Sequence, residues 1–369
     1  MFKITHKDKS TKARIGLLKT KSGTIETPFF MPVATKASVK YISSETLTQH
    51  LDCNAIISNT FILYLKPGER VIKKLGGIKK FMNYKGINVT DSGGFQMYSP
   101  SLYIKSDKKG VWFRNPFNGS KLHVTPEKDM QIQLDLDSDI AMCLDTMPLI
   151  EHSKKDIANA CNQTYEWAKR CKQYHDKHNK QGQLLFGICQ GGIYKDLREK
   201  SALQISSIDF DGLAIGGLAL GEPKNQELKM IEVAKKVYPE NKPCYLMGEG
   251  DPIMMLEAIA LGCDMFDSRF PTQNARRGTL FTSKGKLRIF NAKYKQDSKP
   301  IDPNCNCYIC KTYSRAYIRF QLIEETPVGR HMATYHNLYY LSNLIEQAKS
   351  AIKKGKFKQF LNKIKKVYS

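Results

Sequence analysis

Three cysteines in the C-terminal part of the chain stand close enough to bind one metal ion. Cys305, Cys307 and Cys310 form the pattern Cys-x-Cys-x-x-Cys, and such thiolates can share a tetrahedral ion whose fourth ligand comes from a following helix. His336 lies in an apolar-periodic stretch that fits a helix, and His331 competes with it for that position. Three sulfur ligands and one imidazole leave no position for a substrate, so the pattern predicts a structural zinc site. The alternative is three unrelated thiols.

Two aspartates have the chemistry of a glycosyl-transfer site. Asp267 follows a short apolar run, where a carboxylate can attack an anomeric carbon and form a glycosyl ester. Asp91, in Asp-Ser-Gly-Gly, could be its partner acid/base. Taken alone, Asp267 is equally well explained as a helix N-cap or loop aspartate, and Asp91 as a turn residue.

Four further residues suit the recognition of a purine-like base. The carboxylate of Asp145 accepts from ring N–H groups, and the amide of Gln190 both donates and accepts. Gly217 would leave a backbone N–H open to a carbonyl oxygen, and Phe95 could stack on a base. A tight turn at Gly217 and a core position for Phe95 are the alternatives.

An excess of basic residues favours a polyanionic partner. The 369-residue chain has 58 Lys and Arg against 35 Asp and Glu, a formal net charge of +23, which suits nucleic acid but also occurs in other basic proteins. Arg276 and Arg277 could hold phosphates or belong to a solvated loop. The lysine run over 349–366 is equally consistent with a solvated helix face.

The composition indicates a cytoplasmic globular protein. A hydrophobic content of 41% supports a sizeable core. The first residues lack the apolar segment of a signal peptide, and no stretch reaches the roughly 18 apolar residues of a membrane span. Ten cysteines without an export signal favour a reducing compartment, where the seven scattered ones are small core residues.

Eight short apolar runs, each ending in a polar or glycine-rich turn, must position these residues. They are predicted as buried strands over 29–33, 55–58, 87–90, 140–144, 184–188, 213–215, 244–247 and 265–266. Helical patterns lie between them, for example over 154–177 and 252–261. Eight alternating strands favour an α/β protein of the (β/α)₈ TIM-barrel class. An open doubly wound sheet is the alternative, but no Gly-x-Gly-x-x-Gly follows the first strand.

In such a barrel the residues after each strand face one shared site, so Asp91, Asp145, Gln190, Gly217 and Asp267 are expected to converge. The cysteine cluster interrupts the strand pattern. We therefore expect a catalytic barrel over 1–295, a zinc-binding insertion over 296–340, and a C-terminal basic helix over 341–369, which closes the barrel in the family that the motifs below resemble.

Six sequence motifs together resemble the tRNA-guanine transglycosylases, also called queuine tRNA-ribosyltransferases. They are DSGGFQ (91–96), FGICQGG (186–192), AIGGLALGE (214–222), YLMGEGDP (245–252), MFDSRFPT (265–272) and CNCYIC (305–310). The resemblance runs in order over roughly residues 10–345. It implies a (β/α)₈ barrel with a zinc-binding insertion near its end, and a homodimer as in bacterial members.

The resemblance also assigns expected roles. Asp267 resembles the nucleophile and Asp91 the general acid/base. The base-binding set comprises Asp91, Phe95, Asp145, Gln190, Gly217, Leu218 and Met247. The RNA-binding set comprises Gly248, Thr272, Gln273, Arg276 and Arg277. The zinc ligands are Cys305, Cys307, Cys310 and His336.

The implied reaction belongs to queuosine biosynthesis. It exchanges the wobble guanine of G-U-N anticodons, in the tRNAs for aspartate, asparagine, histidine and tyrosine, for 7-aminomethyl-7-deazaguanine (preQ1) through a covalent aspartyl intermediate. Leu220 favours that small base. Thr146-Met147 replaces the common Glu-Cys of the family, and Gln273 replaces an arginine. Alternatives are queuine as incoming base, a barrel nucleoside or glycoside hydrolase, and a non-catalytic tRNA-binding subunit.

Overall fold

The computed structural model describes residues 2–93, 97, 99–147 and 152–368. Eight parallel strands form one sheet in chain order: Phe29–Pro32, Ala55–Asn59, Ile87–Asp91, Ile140–Met142, Leu184–Cys189, Gly212–Ile215, Cys244–Leu246 and Met265–Ser268. The eighth strand pairs with the first. The first and second strands meet at a parallel bridge between Val33 and Ile57, where the Ala34 N–H donates to the Ile57 carbonyl at 2.7 Å. The sheet is a closed barrel, which confirms the predicted class over the open doubly wound sheet.

The barrel strands form where apolar runs can be buried on both faces. All five residues of Ala55–Asn59 are buried, and so are the four of Gly212–Ile215, as expected for parallel strands covered by helices. Each strand overlaps its predicted run. The ends of two strands differ most: Ile140–Met142 ends two residues before the predicted end at residue 144, and Met265–Ser268 ends two residues after the predicted end at residue 266.

Helices surround the barrel, and several of them start after a side-chain cap. The segments after the first three strands are the π-helix Thr46–His50, the helices Thr60–Leu65, Glu69–Lys74 and Ile78–Phe81, and Pro126–Leu136. Those after the fourth to seventh strands are Lys154–His178, Lys195–Ser206, Lys224–Val237 and Pro252–Ala260. Ser153 caps the first of these four helices and Asp251 the last, the latter followed by proline at the first helical position. The predicted helices over 154–177 and 252–261 are therefore confirmed.

Among the described residues, three small antiparallel sheets lie outside the barrel, two with three strands each and one formed by the C-terminal hairpin Thr279–Thr282 and Gly285–Arg288. The N-terminal sheet, Phe2–Lys7, Arg14–Thr20 and Gly23–Thr27, covers the end where the strands begin, since Arg14 forms a 2.6 Å ion pair with Asp264, just before the eighth strand. The inserted sheet, Tyr103–Ser106, Val111–Arg114 and Lys121–Val124, lies between the third strand and its helix.

The C-terminal part contains the helix Phe270–Arg276, the hairpin Thr279–Thr282 and Gly285–Arg288, the 3₁₀ turn Ala292–Tyr294, and the helices Tyr308–Thr312 and Arg315–Ile323. The helices Pro327–Lys353 and Phe357–Tyr368 follow. The predicted C-terminal basic helix is thus not one helix, because the chain turns at Gly355 with φ of 62°.

The helix Pro327–Lys353 runs continuously past residue 340, where the predicted zinc-binding insertion ends. The three-part division of the chain stays a prediction. Among the described residues, no helix is both long and apolar enough to cross a membrane.

Candidate active site and metal centre

Asp91 ends the third barrel strand, and its carboxyl group lies among hydrogen-bond donors. The Asn59 amide group donates to both oxygens at 3.0 Å, and the backbone N–H groups of Thr60 and Gly93 donate to one of them at 3.3 and 3.0 Å. Desolvation outweighs these donors and raises the pKa of Asp91 to about 7, with the charge of Asp267 adding to the shift. Asp91 can therefore hold a proton near neutral pH.

Asp267 lies on the eighth strand and is held by two donors. The Tyr245 hydroxyl donates to its Oδ1 at 2.5 Å, and the Gly248 N–H donates to the same oxygen at 2.8 Å. Desolvation raises the pKa of Asp267, while both donors oppose that shift by stabilising the carboxylate. Because desolvation, together with the charge of Asp267, raises the pKa of Asp91, the pair can supply one nucleophile and one acid.

Asp145 and Gln190 form a polar edge beside this pair. The Asp145 carboxylate accepts from the Ser92 hydroxyl at 3.1 Å and from the Gln190 amide at 2.6 Å, and desolvation raises its pKa to about 6. The Gln190 Oε1 atom is buried and has no hydrogen-bond partner among the described residues. Gly217 has φ of 66°, and a Cβ there would lie 2.4 Å from that oxygen. Only glycine leaves this edge open.

A buried glutamate at the end of the loop that follows the sixth strand holds the backbone of that loop. The Glu222 carboxylate accepts from the backbone N–H groups of Ala219 and Leu220 at 2.6 and 2.9 Å. Leu218 is buried and Met247 half-buried, both against the barrel core. Their expected role as apolar surface for a base stays a prediction. Phe95 lies outside the described residues.

Three residues that the sequence interpretation missed support these groups. Asn59 and Tyr245 hold the two catalytic candidates directly, as described above. Asp129, on the helix behind them, is buried and accepts from the Gln133 amide at 2.8 Å. Burial raises the pKa of Asp129 well above its usual range, with smaller contributions from Asp91 and Asp145. A neutral carboxyl group thus lies beneath the site.

The three cysteines and His336 converge into a cluster that could hold a metal ion. Their four ligand atoms lie within 4.8 Å of one another, and the His336 Nδ1 atom is 3.3 to 4.0 Å from the sulfurs of Cys305, Cys307 and Cys310. The His336 Nε2 atom lies 2.8 Å from the Phe281 carbonyl oxygen, so Nε2–H donates and the Nδ1 lone pair faces the sulfurs. His331 instead contacts the Tyr41 carbonyl at 2.8 Å. The geometry selects His336 as the fourth ligand.

The helix that carries His336 also holds the segment that follows Asp267. The Asn337 amide donates to the carbonyls of Pro271 and Thr279, both at 3.0 Å, and its oxygen accepts from the Phe281 N–H at 3.0 Å. The metal cluster and the active-site candidates are therefore linked through one buried side chain.

The expected RNA contacts differ in how free their side chains are. The Thr272 hydroxyl donates to its own helix backbone at 3.1 Å, and Gln273, with its amide turned, accepts from Arg277 at 3.0 Å. Arg276 lies over the Tyr41 ring at 5.9 Å, desolvation lowers its pKa, and its Nη1 has no hydrogen-bond partner among the described residues. Arg276 is the strongest anion-binding candidate of this group.

A closed (β/α)₈ barrel with interacting carboxyl groups at the C-terminal ends of its strands has the architecture of a barrel enzyme. A family model described as queuine tRNA-ribosyltransferase matches residues 8–369. The chain belongs to the queuine tRNA-ribosyltransferase family, whose members are glycosyltransferase-type enzymes, the tRNA-guanine transglycosylases.

Individual relatives agree over nearly their full lengths. The queuine tRNA-ribosyltransferase of Lysinibacillus sphaericus is 46% identical over 359 residues, covering 97% of this chain and 93% of the relative. That of Fusobacterium nucleatum is 46% identical over 98% of this chain and 97% of its own length. That of Staphylococcus aureus is 47% identical over 95% of this chain and 92% of its own length.

Proposed function

We propose that the chain exchanges the wobble guanine of G-U-N anticodon tRNAs for 7-aminomethyl-7-deazaguanine, through a covalent ester between Asp267 and the ribose. The observation that carries the proposal is the carboxyl pair. Tyr245 and Gly248 stabilise an ionised Asp267, while the pKa of Asp91 is raised to about 7. Asp267 can therefore attack as a nucleophile, and Asp91 can donate and accept a proton.

The exchange balances with these two groups alone. An Asp267 oxygen attacks C1′ of the ribose as the bond from C1′ to the guanine nitrogen breaks, and the departing guanine takes a proton from Asp91. The incoming base then gives a proton to Asp91, and its nitrogen attacks C1′ and releases the Asp267 carboxylate. The developing oxocarbenium charge is stabilised by the same carboxylate.

Base recognition follows from the polar edge. Asp145 can accept N–H donors of the ring, and the unpartnered Gln190 Oε1 can accept a further one. The Gly217 N–H can donate to the base carbonyl. Leu218 and Met247 contribute the apolar surface, and Phe95 completes this set in the proposal. Leu220 beside the pocket favours the aminomethyl base over bulkier queuine.

The cofactor and partners belong to the same proposal. The donor set of three thiolates and one imidazole fits Zn²⁺, which would stabilise the C-terminal subdomain without entering the reaction. Gly248, Thr272, Gln273, Arg276 and Arg277 would contact the anticodon loop. The protein would act as a homodimer in the cytoplasm, and light scattering tests the dimer.

Incorporation of labelled guanine into unmodified tRNA tests the activity. We expect exchange with the wild-type chain and a loss of at least 1,000-fold in Asp267→Ala, since no other group can form the ester. Asp209→Ala is the control, because that carboxyl side chain is 95% exposed and precedes the sixth strand, at the opposite end of the barrel from the site, and should leave exchange unchanged. Wild-type exchange in Asp267→Ala would contradict the proposal. Cleavage of free nucleosides without tRNA would instead support the hydrolase alternative.

A further inference from the structure

The inserted sheet carries a charged and aromatic face that the proposed chemistry does not use. In the register of this sheet, Arg114 lies opposite Lys121 and Trp112 lies opposite His123, while Lys105, on the strand Tyr103–Ser106, lies opposite Trp112 from the other side. Side chains alternate along strands, so residues two apart share a face. These five residues form one surface, called the platform below.

Arg114 and Lys121 are an unfavourable pair within the folded chain. Both side chains are exposed, they lie directly opposite each other on antiparallel strands, and neither forms an ion pair with a described residue. Like charges in this arrangement repel and destabilise the sheet. An anionic partner bound between the two side chains would remove the repulsion. The like-charge pair itself contributes nothing to the stability of the fold.

The second row of the platform is aromatic. The rings of Trp112 and His123 stack with centroids 4.1 Å apart and planes 7° apart, and the Lys105 ammonium group lies 6.0 Å from the Trp112 ring centre. The buried His123 Nε2 atom has no hydrogen-bond partner among the described residues. Cations beside half-buried rings are the elements with which proteins hold a nucleic-acid strand, phosphates on the cations and bases on the rings.

The sheet is fixed to the mouth of the barrel. On its buried face Phe113 packs edge-on against Phe61 at 4.7 Å, in the helix whose first N–H donates to Asp91. At the loop between the first two strands of the sheet, the Gln163 amide donates to the Asp107 carbonyl at 2.8 Å. The Gln163 side-chain oxygen also accepts from the Thr146 hydroxyl at 2.9 Å. A strand that delivers a nucleotide to Asp91 would pass close to this sheet.

We propose that the platform binds the RNA strand of the substrate beside the nucleotide that enters the barrel, with Arg114 and Lys121 on phosphates and the Trp112–His123 pair against a base. The inference rests on the proposed function, because that function makes RNA the polyanion at this mouth. It adds a binding surface on the inserted sheet, separate from the arginines after the eighth strand.

Charge reversal tests the phosphate contacts. We expect Arg114→Glu/Lys121→Glu to raise the KM for tRNA at least tenfold, with kcat at saturating tRNA within twofold of wild type. For this variant, the plot of log(kcat/KM) against the logarithm of the salt concentration should have a slope shallower than that of wild type by about 1.4. That difference is the contribution of two phosphate contacts to a single strand. Lys3→Glu/Lys9→Glu makes the same charge change on the exposed N-terminal sheet at the opposite end of the barrel, and should show much smaller changes.

Fluorescence tests the aromatic contact. The chain has two tryptophans, and Trp167 is fully buried, so quenching by added tRNA should report on Trp112. Trp112→Phe should lose most of that quenching while its melting temperature stays near wild type.

The outcomes separate the two proposals. Absent guanine exchange in the wild-type chain would refute the proposed function. Normal exchange with unchanged KM and salt dependence in a folded Arg114→Glu/Lys121→Glu protein would refute the platform alone. A changed oligomeric state of that variant with an unchanged KM would mark the sheet as a protein interface and also overturn the inference.

Discussion

At the scale of single residues, the protonation of Asp91 should set the alkaline limit of the exchange reaction. Its role as acid requires the proton that it loses as pH rises through about 7, whereas Asp267 must be ionised and fails as pH falls through its raised pKa. We therefore expect a bell-shaped pH profile of kcat/KM for tRNA, with an alkaline limb near pH 7.

Asn59 allows that limb to be assigned. Its amide group donates to both Asp91 oxygens and so lowers the pKa of Asp91. Asn59→Ser retains a side chain able to cap the following helix, removes the donated bonds, and should move the alkaline limb to higher pH. A limb that stays in place or moves down in that variant would show that another group titrates there.

Residue types predicted much of the candidate site but not its supports. Asp91, Asp145, Gln190 and Asp267 each follow a predicted strand, and the structure places them at the same end of the barrel. Tyr245 gave no signal, because it lies inside an apolar run and its hydroxyl meets Asp267 only where the seventh and eighth strands pair. Contacts of this kind depend on the closed barrel rather than on local sequence.

At the scale of elements, the helix Pro327–Lys353 should couple the metal centre to the active site. Asn337 satisfies three buried backbone groups between Pro271 and Phe281, and each would cost about 1–3 kcal/mol if left unpaired. We expect Asn337→Ala to retain about one metal ion per chain, to lower the melting temperature, and to reduce kcat, because the segment after Asp267 loses its support.

Metal analysis, calorimetry and guanine exchange on the same preparations test this coupling. Asn343→Ala changes an exposed asparagine on the same helix and should behave as wild type. Removal of the metal with a chelator should lower the melting temperature of every variant, since the ligands join the cysteine segment 305–310 to the helix that carries His336. Loss of metal from Asn337→Ala, or unchanged stability, would refute the separate role given to this side chain.

At the scale of the whole molecule, the barrel could be predicted from the order of apolar runs and turns, because each strand is a short apolar run that ends in a polar or glycine-rich turn. The two three-stranded sheets were not predicted by that reasoning. Arg114, for example, ends a strand in which only two of the four residues are buried, Val111 and Phe113. The end of the helix at Lys353 was also missed, since Lys354-Gly355-Lys356 breaks a lysine-rich helical pattern with only one glycine.

Global stability should also depend on a buried carboxyl group outside the catalytic pair. Glu227, on the helix Lys224–Val237, is 4% exposed. Desolvation, and then the neighbouring Glu249 of the loop after the seventh strand, raise the pKa of Glu227 to about 9. The folded state therefore keeps a proton that the unfolded chain releases above its ordinary pKa of 4.5.

The sign of the effect follows from this proton. Between pH 4.5 and about 9 the folded state binds more protons at Glu227 than the unfolded state does. The contribution of Glu227 to the free energy of unfolding therefore falls as pH rises through that window, by at most about 1.4 kcal/mol per pH unit. Glu227→Gln keeps a neutral polar side chain and should lose less stability than wild type between pH 5.5 and 8.5. Denaturant unfolding at both pH values measures the difference, and Glu199→Gln, at an exposed position, should match wild type. Carboxyl groups remote from Glu227 are common to all three proteins and cancel, and the amide of Glu227→Gln can donate to Glu249 as the protonated carboxyl group does. Equal losses in Glu227→Gln and wild type would therefore show that Glu227 is already ionised in the folded state.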